Sequence, residues 1–345
     1  MITIAVCAVI CGADDFVAIA EFGRVKRKWL SKFLDLTHGI PSHDRFNQVL
    51  AAFQPADFEQ CLLSWISALH EITAGQIIAI DGKTLRRSYD KASSKSAIHM
   101  VSTWASANHI SLSQVVVDAK SNEITAIPKL LQMLDIKGSL VTIDAQGCRV
   151  EIAQQIVVQQ ADYVLAVKGN QSTLFDGVVT HCAVHLNDSN VFKGRGFHRT
   201  NEKAHGRETE REYSMCSVPD DLPDASRCPK LKAIDMTINR TLRDGKETIE
   251  DRYYIVSRNL TAKQFAKAVR SHWCIGNSLH WLLDVTFGED QCRIRKGNAD
   301  ANFSLLRRHA LSLLKNQRTA KVGIKNKRLS AGWNDDYLLK VLIGA

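Results

Sequence analysis

Several signatures of specialised protein classes are missing from this 345-residue sequence. No apolar run approaches the roughly 20 residues that a membrane-spanning helix needs. There is no internal repeat, no low-complexity tract and no G-x-S-x-G elbow of the kind that many hydrolases carry. The nine cysteines contain no C-x-x-C pair, which favours free thiols in a reducing cytoplasm over disulfides. What remains is a cytoplasmic globular protein with room for one large domain and a smaller one.

Negative charge is in short supply, because 36 Asp and Glu stand against 45 Lys and Arg, a formal net charge of +9. The excess is concentrated in residues 291–330, which hold 11 basic residues and a single acid, Asp300. The basic residues there are Arg293, Arg295, Lys296, Arg307, Arg308, Lys315, Arg318, Lys321, Lys325, Lys327 and Arg328. Such a stripe favours contact with phosphates, so nucleic acid is the expected partner. A second basic run, residues 24–28, either touches phosphates or is a solvated helix face.

Helical spacing dominates residues 1–70. The stretch from Phe46 to Phe53 repeats apolar residues at i, i+3, i+4 and i+7, and Ser42 before it is a helix start signal. Residues 1–10 are apolar with no preceding Lys or Arg, so we interpret them as a buried helix and not as a secretory signal. The first part of the chain is therefore predicted to be a small helical segment.

The pattern changes at residue 76 to that of an α/β domain. Strands are predicted at 76–80, 98–105, 112–118, 140–143 and 163–167, with helices at 127–134 and 149–159. This order makes a mixed sheet with helices on its faces. Residues 175–250 are polar and β-leaning, which indicates an insertion into that core. A further helix should begin after Thr261, because Thr261 and Gln264 have the spacing of a capping box.

Two aspartates, Asp81 and Asp144, each follow an apolar strand, at the edge where ligands of open α/β sheets collect. An ionised carboxylate at such a place binds a cation or caps a turn. For Asp81 alone the turn interpretation is favoured, because Asp-Gly is a common turn pair. Two such aspartates in a basic protein favour a metal site. Carboxylates suit Mg²⁺, and two Mg²⁺ ions can activate a hydroxyl and stabilise the leaving oxygen of a phosphodiester.

At this point the sequence resembles a known family, the H-repeat-associated insertion-sequence transposases, also called the ISAs group of DDE transposases. The matching segments extend along almost the whole chain. They are C-A-V-I-C-G-A-D-D-F (7–16), G-I-P-S-H-D-R-F (39–46), I-A-I-D-G-K-T-L-R (78–86), K-S-N-E-I-T-A-I-P (120–128), V-T-I-D-A-Q-G-C (141–148), Y-V-L-A-V-K-G-N-Q (163–171), H-G-R-E (205–208), R-Y-Y-I (252–255), H-W-C-I-G-N-S-L-H-W (272–281) and R-I-R-K-G-N-A (293–299).

The resemblance implies an α/β fold with an RNase H-like mixed-sheet core, two Mg²⁺ ions as cofactors with Mn²⁺ as a substitute, and DNA as partner, bound by a homo-oligomer. It implies a helical segment over 1–70, a core over 76–315 with its β-rich insertion at 175–250, and a basic C-terminal tail over 316–345. The first two catalytic acids and metal ligands carry over onto Asp81 and Asp144. The residues expected to contact DNA are Lys168, His205, Arg207, Arg293, Arg295, Lys296, Arg307 and Arg308.

The third acid of the family, a Glu, is missing. Its position in the H-W-x-I-E-N pattern is Gly276, which provides no ligand and costs about 1 kcal/mol relative to Ala inside a helix. On a regular helix His272, Gly276, His280 and Asp284 would share one face. Asp284 lies about 12 Å further along the axis, too far to replace the Glu.

Three functions therefore stay open: a transposase with impaired activity, a catalytically dead DNA-binding relic or regulator, and an RNase H-like metal nuclease. The chain begins inside the family pattern, which together with Gly276 favours a degenerate copy. A zinc site at His272, His280, Cys274 and Cys292 is disfavoured because they lack paired ligand spacing. The neighbouring tryptophans are interpreted as core residues.

Overall fold

The computed structural model describes residues 1–69, 76–89, 97–117, 122–186, 196–204 and 206–344. It divides into two compact units, and each is assembled from separate stretches of the chain. The helical unit consists of Met1–Thr73, Gly82–Asn122 and Cys274–Ala345, and the sheet unit of Ala74–Asp81 and Glu123–Trp273. This division differs from the contiguous ranges expected from the sequence, because the N-terminal and C-terminal helices pack on each other.

Among the described residues, nine strands form one sheet in the order β3-β2-β1-β4-β5-β9-β8-β7-β6. They are β1 Ile77–Thr84, β2 His99–Ala105, β3 Ile110–Val117, β4 Leu140–Ile143, β5 Asp162–Val167, β6 Phe197–Ala204, β7 Arg207–Ser217, β8 Ala233–Arg243 and β9 Lys246–Val256. Strands β1, β4 and β5 are parallel, β2 and β3 are antiparallel, and β9 adds antiparallel to β5. The first five strands make the RNase H-like core that was predicted.

Strand β4 lies between β1 and β5, and its four residues are all buried. Continuous apolar runs of this kind are typical of parallel strands that are covered on both faces. Helices α6 (Glu123–Gln132) and α7 (Val150–Val158) precede and follow β4, and each buries one apolar face. Both helices and all five core strands lie within a few residues of their predicted positions.

The insertion between β5 and the last core helix begins with a helix, α8 (Ser172–Leu186), and only then continues as β6–β9. The prediction of β structure from residue 175 was therefore wrong for its first part. The periodicity that we missed is Leu174, Val178 and Cys182, which are all buried and four residues apart.

The helical unit is built around one helix, α11 (Ala299–Asn316), in which every residue from Ala299 to Leu314 is buried. It contacts α1, α4, α5 and β3. The other helices of this unit are α1 Ile2–Ile10, α2 Phe16–Val25, α3 Arg27–Leu30, α4 His43–Ala52, α5 Pro55–Leu69, α10 Trp281–Phe287, α12 Ile324–Trp333 and α13 Asp335–Ile343. In the described part of the chain no helix is both long and apolar enough to span a membrane.

Two predicted helix starts are confirmed. The Ser42 hydroxyl oxygen accepts a hydrogen bond from the Arg45 N–H at 3.3 Å, where α4 begins. Helix α9 (Ala262–Ile275) starts with the capping box: the Thr261 N–H donates to Gln264 Oε1 at 2.9 Å, and the Gln264 N–H donates to Thr261 Oγ1 at 3.2 Å.

Helix α9 continues into a π-helical segment, Gly276–His280, before α10. A π turn holds an extra residue, so the four-residue stripe expected from His272 to Asp284 does not continue past Gly276. Segments of this type occur frequently at functional sites. No feature of the sequence led us to predict this π-helical segment.

Candidate active site

The two predicted catalytic aspartates lie side by side in the sheet unit. The parallel pairing of β1 with β4 ends at Ile80 and Ile143, and Asp81 and Asp144 are the next residue of each strand. Neighbouring strands are about 4.8 Å apart, so the sheet brings the two carboxylates to one edge. Both residues are half-buried. Two carboxylates held this close repel each other unless a proton or a cation lies between them.

Asp144 also caps the turn that follows its strand. Its Oδ1 atom accepts hydrogen bonds from the N–H groups of Gln146 at 3.0 Å and Gly147 at 3.2 Å. A Cβ atom at Gly147 would lie 2.4 Å from Ile143 Cγ2 and 2.8 Å from Ile127 Cδ1, so this position requires glycine. The turn interpretation and the ligand interpretation are therefore compatible, because the turn fixes the direction of the carboxylate.

His272 of α9 is the third group beside the aspartates. Its Nδ1 atom lies 3.2 Å from the hydroxyl oxygen of Thr142, a buried residue of β4. Burial lowers the pKa of His272, although the negative charges of Asp81 and Asp144 act in the opposite direction. At neutral pH the ring is uncharged and adds no positive charge to the pair. The sequence placed His272 only on a polar stripe, and its contact with β4 was not predicted.

A cavity of about 150 Å³ lies beside Asp144 in the sheet unit. Its walls combine apolar side chains of β4 and β5 with the cations Lys168 and Arg252. The Arg252 guanidinium lies over the Trp273 ring, 3.6 Å from its centroid. Trp273 is 48% exposed and Trp281 55%, so the interpretation of these tryptophans as core residues was wrong.

Among the residues expected to contact DNA, Lys168 is exposed and borders the same cavity as Asp144. Arg207 is exposed at the start of β7, and Ser217 ends that strand roughly 33 Å away, at 3.3 Å per residue. The end at Ser217 is the one that leads back to the core, since Ala233 pairs with both Ser217 and Val256. Arg207 therefore lies at the end of β7 that is distant from the core strands. His205 lies outside the described residues.

The basic C-terminal residues separate into two groups. Arg293 and Lys296 are exposed and Arg295 is half-buried. Arg307 and Arg308 are 1% exposed and lie in the central helix α11. Arg307 donates to the carbonyl oxygen of Asp14 at 3.2 Å, and Arg308 donates to Ser304 Oγ at 3.4 Å. These two arginines are structural, since they hydrogen-bond inside the helical unit, and the basic stripe is not a continuous surface.

Comparison with known proteins gives the family. The profile of the Transposase DDE domain matches residues 73–313, and the DDE_Tnp_1-associated profile matches residues 1–66. The chain belongs to the DDE transposase family. It is 43% identical over 341 residues to "Putative transposase YncI" of Escherichia coli O157:H7, which covers 98% of this chain and 87% of that protein.

The resemblance of this transposase to the H-repeat-associated group is confirmed as well. The "H repeat-associated putative transposase YhhI" of Escherichia coli (strain K12) is 39% identical over 351 residues, covering 100% of this chain and 92% of that protein. Among solved structures, the "piggyBac transposase synaptic complex with hairpin DNA" aligns with 98% of this chain and 70% of that chain. Its TM-score is 0.40 and its identity 12%, which is too distant to inform on function.

Gly276, which the sequence leads us to expect at the third acidic position of the family pattern, is the first residue of the π-helical segment. A Cβ atom built there meets no atom within 4 Å, so packing does not require glycine. Asp284 and Glu289, the acids that follow it in the sequence, both bond Lys83 inside the helical unit. Within the described residues, no three or more His, Cys, Asp and Glu side chains form a group that could hold a metal ion.

Proposed function

We propose that this transposase cleaves and joins DNA at the ends of an insertion sequence, with Asp81 and Asp144 as ligands of Mg²⁺. The observation that carries the proposal is the pairing of β1 with β4, which ends immediately before both aspartates. DDE transposases generally use divalent metal ions, and Mg²⁺ is commonly held by one or two carboxylates together with water and phosphate oxygens. The carboxylates of Asp81 and Asp144 are therefore suitable ligands for Mg²⁺.

Bound divalent ions activate the attacking oxygen and stabilise the leaving oxygen of a phosphodiester. The protein's own residues position the ligands and the phosphate. The backbone N–H groups of Gln146 and Gly147 fix the Asp144 carboxylate, and Lys168 and Arg252 offer positive charge to a phosphate. In cleavage, a water oxygen bonds to phosphorus, the bond to the 3′ oxygen breaks, and that oxygen takes a proton. The new 3′-hydroxyl then bonds to a target phosphorus and displaces the target's 3′ oxygen.

DNA contacts are proposed at the exposed cations, Lys168, Arg207, Arg293 and Lys296, together with Arg295. Arg307 and Arg308 are left out of this set because they are buried.

A second function, binding of DNA without catalysis, is favoured by one observation. Gly276 stands where the family has a Glu, and open space at its Cβ position gives no structural reason for the change. Such a protein would occupy the element ends and block an active copy.

The deciding experiment compares the unmodified chain, Gly276→Glu, and Gly276→Glu combined with Asp81→Asn. Binding to terminal-repeat DNA is measured by fluorescence anisotropy, and strand cleavage with Mg²⁺ on denaturing gels. We expect all three to bind the DNA, and Gly276→Glu to cleave at least about 100-fold faster than the unmodified chain, the usual order for a missing catalytic group. Asp81→Asn should abolish that gain.

The other outcomes are equally informative. Binding without cleavage by Gly276→Glu would favour the relic or regulator. Cleavage of DNA with scrambled ends at the same rate would indicate a metal nuclease of the same fold. If no form binds DNA at physiological salt, the proposal is overturned.

A further inference from the structure

Two basic segments that are distant in sequence lie against each other in the helical unit. The Arg295 Nε atom donates to the carbonyl oxygen of Arg87 at 3.4 Å, and its guanidinium lies 5.5 Å from the centroid of the Tyr89 ring. Arg86 lies beside Asp290 at 3.4 Å, with 82% of its side chain exposed. We call the resulting patch the basic-aromatic surface. It consists of Arg86, Arg87, Tyr89, Arg293, Arg295 and Lys296.

The backbone that carries Arg293, Arg295 and Lys296 is anchored directly after them. Gly297 has φ +53°, and a Cβ atom there would lie 2.8 Å from the carbonyl oxygen of Ala51. The Asn298 N–H donates to that same oxygen at 3.1 Å, and its side-chain amide donates to the carbonyl oxygen of Phe53 at 3.0 Å. The G-N pair of the R-I-R-K-G-N-A segment therefore has a structural role, which is to hold the three cations in place.

The opposite segment is anchored through Ser88, which is 3% exposed. Its Oγ atom accepts from the Ile98 N–H at 2.7 Å and donates to the carbonyl oxygen of Leu85 at 2.8 Å. The Leu85 N–H donates in turn to the carbonyl oxygen of Ile98 at 2.8 Å. Arg86 and Arg87 are exposed on this turn, and Tyr89 beyond it is 40% exposed.

Holding five cations close together on anchored backbone is unfavourable for an isolated protein, because like charges repel. The same arrangement lowers the cost of binding a polyanion, because the groups are already in position. An aromatic ring among cations is the combination that binds single-stranded nucleic acid, in which unpaired bases stack on the ring and the phosphates bind the cations.

We propose that the basic-aromatic surface binds one strand of DNA, with its phosphates at the arginines and Lys296 and one unpaired base on Tyr89. The Arg295 guanidinium lies over one face of the Tyr89 ring, and the base stacks on the other face. The proposal rests on DNA being the ligand, as in the proposed function, and adds a single-stranded segment and the residues that hold it.

The test uses the full-length chain and three labelled DNAs: a terminal duplex, the same duplex with a single-stranded extension, and a single strand. The variants are Arg293→Ala with Lys296→Ala, Tyr89→Leu and Tyr89→Phe. The matched control is Lys32→Ala with Lys340→Ala, two exposed lysines of the same unit that lie outside the basic stripe. Affinity is measured by anisotropy across a salt series, and circular dichroism checks that each variant is folded.

We expect the Arg293/Lys296 variant to bind the single strand more weakly and with a shallower salt dependence, by about 1.4 in the logarithmic slope for two phosphate contacts. Tyr89→Leu should weaken binding to the extended and single-stranded DNAs about tenfold, leaving the blunt duplex unchanged, and Tyr89→Phe should retain binding. The lysine control should bind like the unmodified chain.

The proposed role of the basic-aromatic surface would be overturned if both the Arg293/Lys296 and the Tyr89→Leu variants kept the single-strand affinity and salt slope of the unmodified chain. The proposed function would still stand in that case if the chain bound terminal DNA. Equal losses on blunt duplex and single strand would overturn the single-strand assignment. A chain that binds none of the three DNAs would overturn both proposals.

Discussion

Lys83 donates a hydrogen bond of 2.8 Å from Nζ to Oε2 of the buried Glu289. The other oxygen of this carboxylate, Oε1, accepts from the Ser304 hydroxyl at 2.6 Å. Both oxygens are thus engaged inside the helical unit. Glu289 is therefore a structural carboxylate.

Glu289→Gln should lower the free energy of unfolding by about 3–5 kcal/mol, because it leaves the buried Lys83 without its full counter-charge. Unfolding in urea at pH 7 measures the loss. An exposed acid of similar size, Glu247, supplies the control, and Glu247→Gln should change the stability by less than about 0.5 kcal/mol.

The same variant has a predicted pH dependence. Burial alone would raise the pKa of Glu289, but Arg308 and Lys83 outweigh it and hold the pKa at about 2. A carboxyl group with a lowered pKa stabilises the fold above its ordinary value of 4.5, and that contribution is lost as the pH falls towards 2. The stability difference between the unmodified chain and Glu289→Gln should therefore shrink below pH 4.5. A constant difference down to pH 3 would contradict the ion pair.

Glu59 should show the opposite dependence. Burial raises the pKa of Glu59 to about 8, although Ser113 Oγ donates to it at 2.9 Å and the Gln114 N–H at 2.5 Å. A raised pKa means that the folded state binds the proton more tightly, so stability falls as the pH rises from 4.5 to 8. Relative to Glu59→Gln, the unmodified chain should lose stability over this interval. Parallel stability curves for the two proteins would contradict the raised pKa.

Packing does not require glycine at position 276 but does require it at position 147. Gly276→Ala should raise the stability by roughly 0.5–1 kcal/mol, because its Cβ atom meets open space and alanine favours the helix. Gly147→Ala should destabilise, because its Cβ atom would lie 2.4 Å from Ile143 Cγ2. Thermal unfolding of the two variants gives the comparison, and a loss of stability in Gly276→Ala would show a constraint on the π-helical segment.

Metal binding can be tested separately from catalysis. Asp144→Asn keeps an oxygen that can accept from the Gln146 and Gly147 N–H groups, so the turn should remain while the charge is lost. Mn²⁺ affinity, measured by electron paramagnetic resonance, should fall at least about tenfold in Asp144→Asn and in Asp81→Asn. Exposed Asp336→Asn should bind Mn²⁺ like the unmodified chain. Unchanged affinity in both active-site variants would remove the two aspartates as ligands.

The sequence predicted the core strands and the adjacent aspartates because both depend on local patterns. A strand such as β4 is a continuous apolar run, and parallel strands necessarily bring their carboxyl ends to one edge. The π-helical segment was not predicted, because its extra residue changes the side-chain direction without a compositional mark. The burial of Arg307 and Arg308 also could not be predicted from the sequence. Arginine is mostly exposed in proteins, and only tertiary packing shows that these two residues of α11 are buried.

The position of α11 has a consequence for the order in which the protein can fold. Helices α1, α4 and α5 pack on α11, which begins only at Ala299. During synthesis the N-terminal helices therefore emerge more than two hundred residues before the helix that buries their apolar faces, and domains otherwise tend to fold as they leave the ribosome. Until then these faces need a chaperone or remain exposed to aggregation. A reading frame interrupted before residue 299 would leave the N-terminal helices without their core.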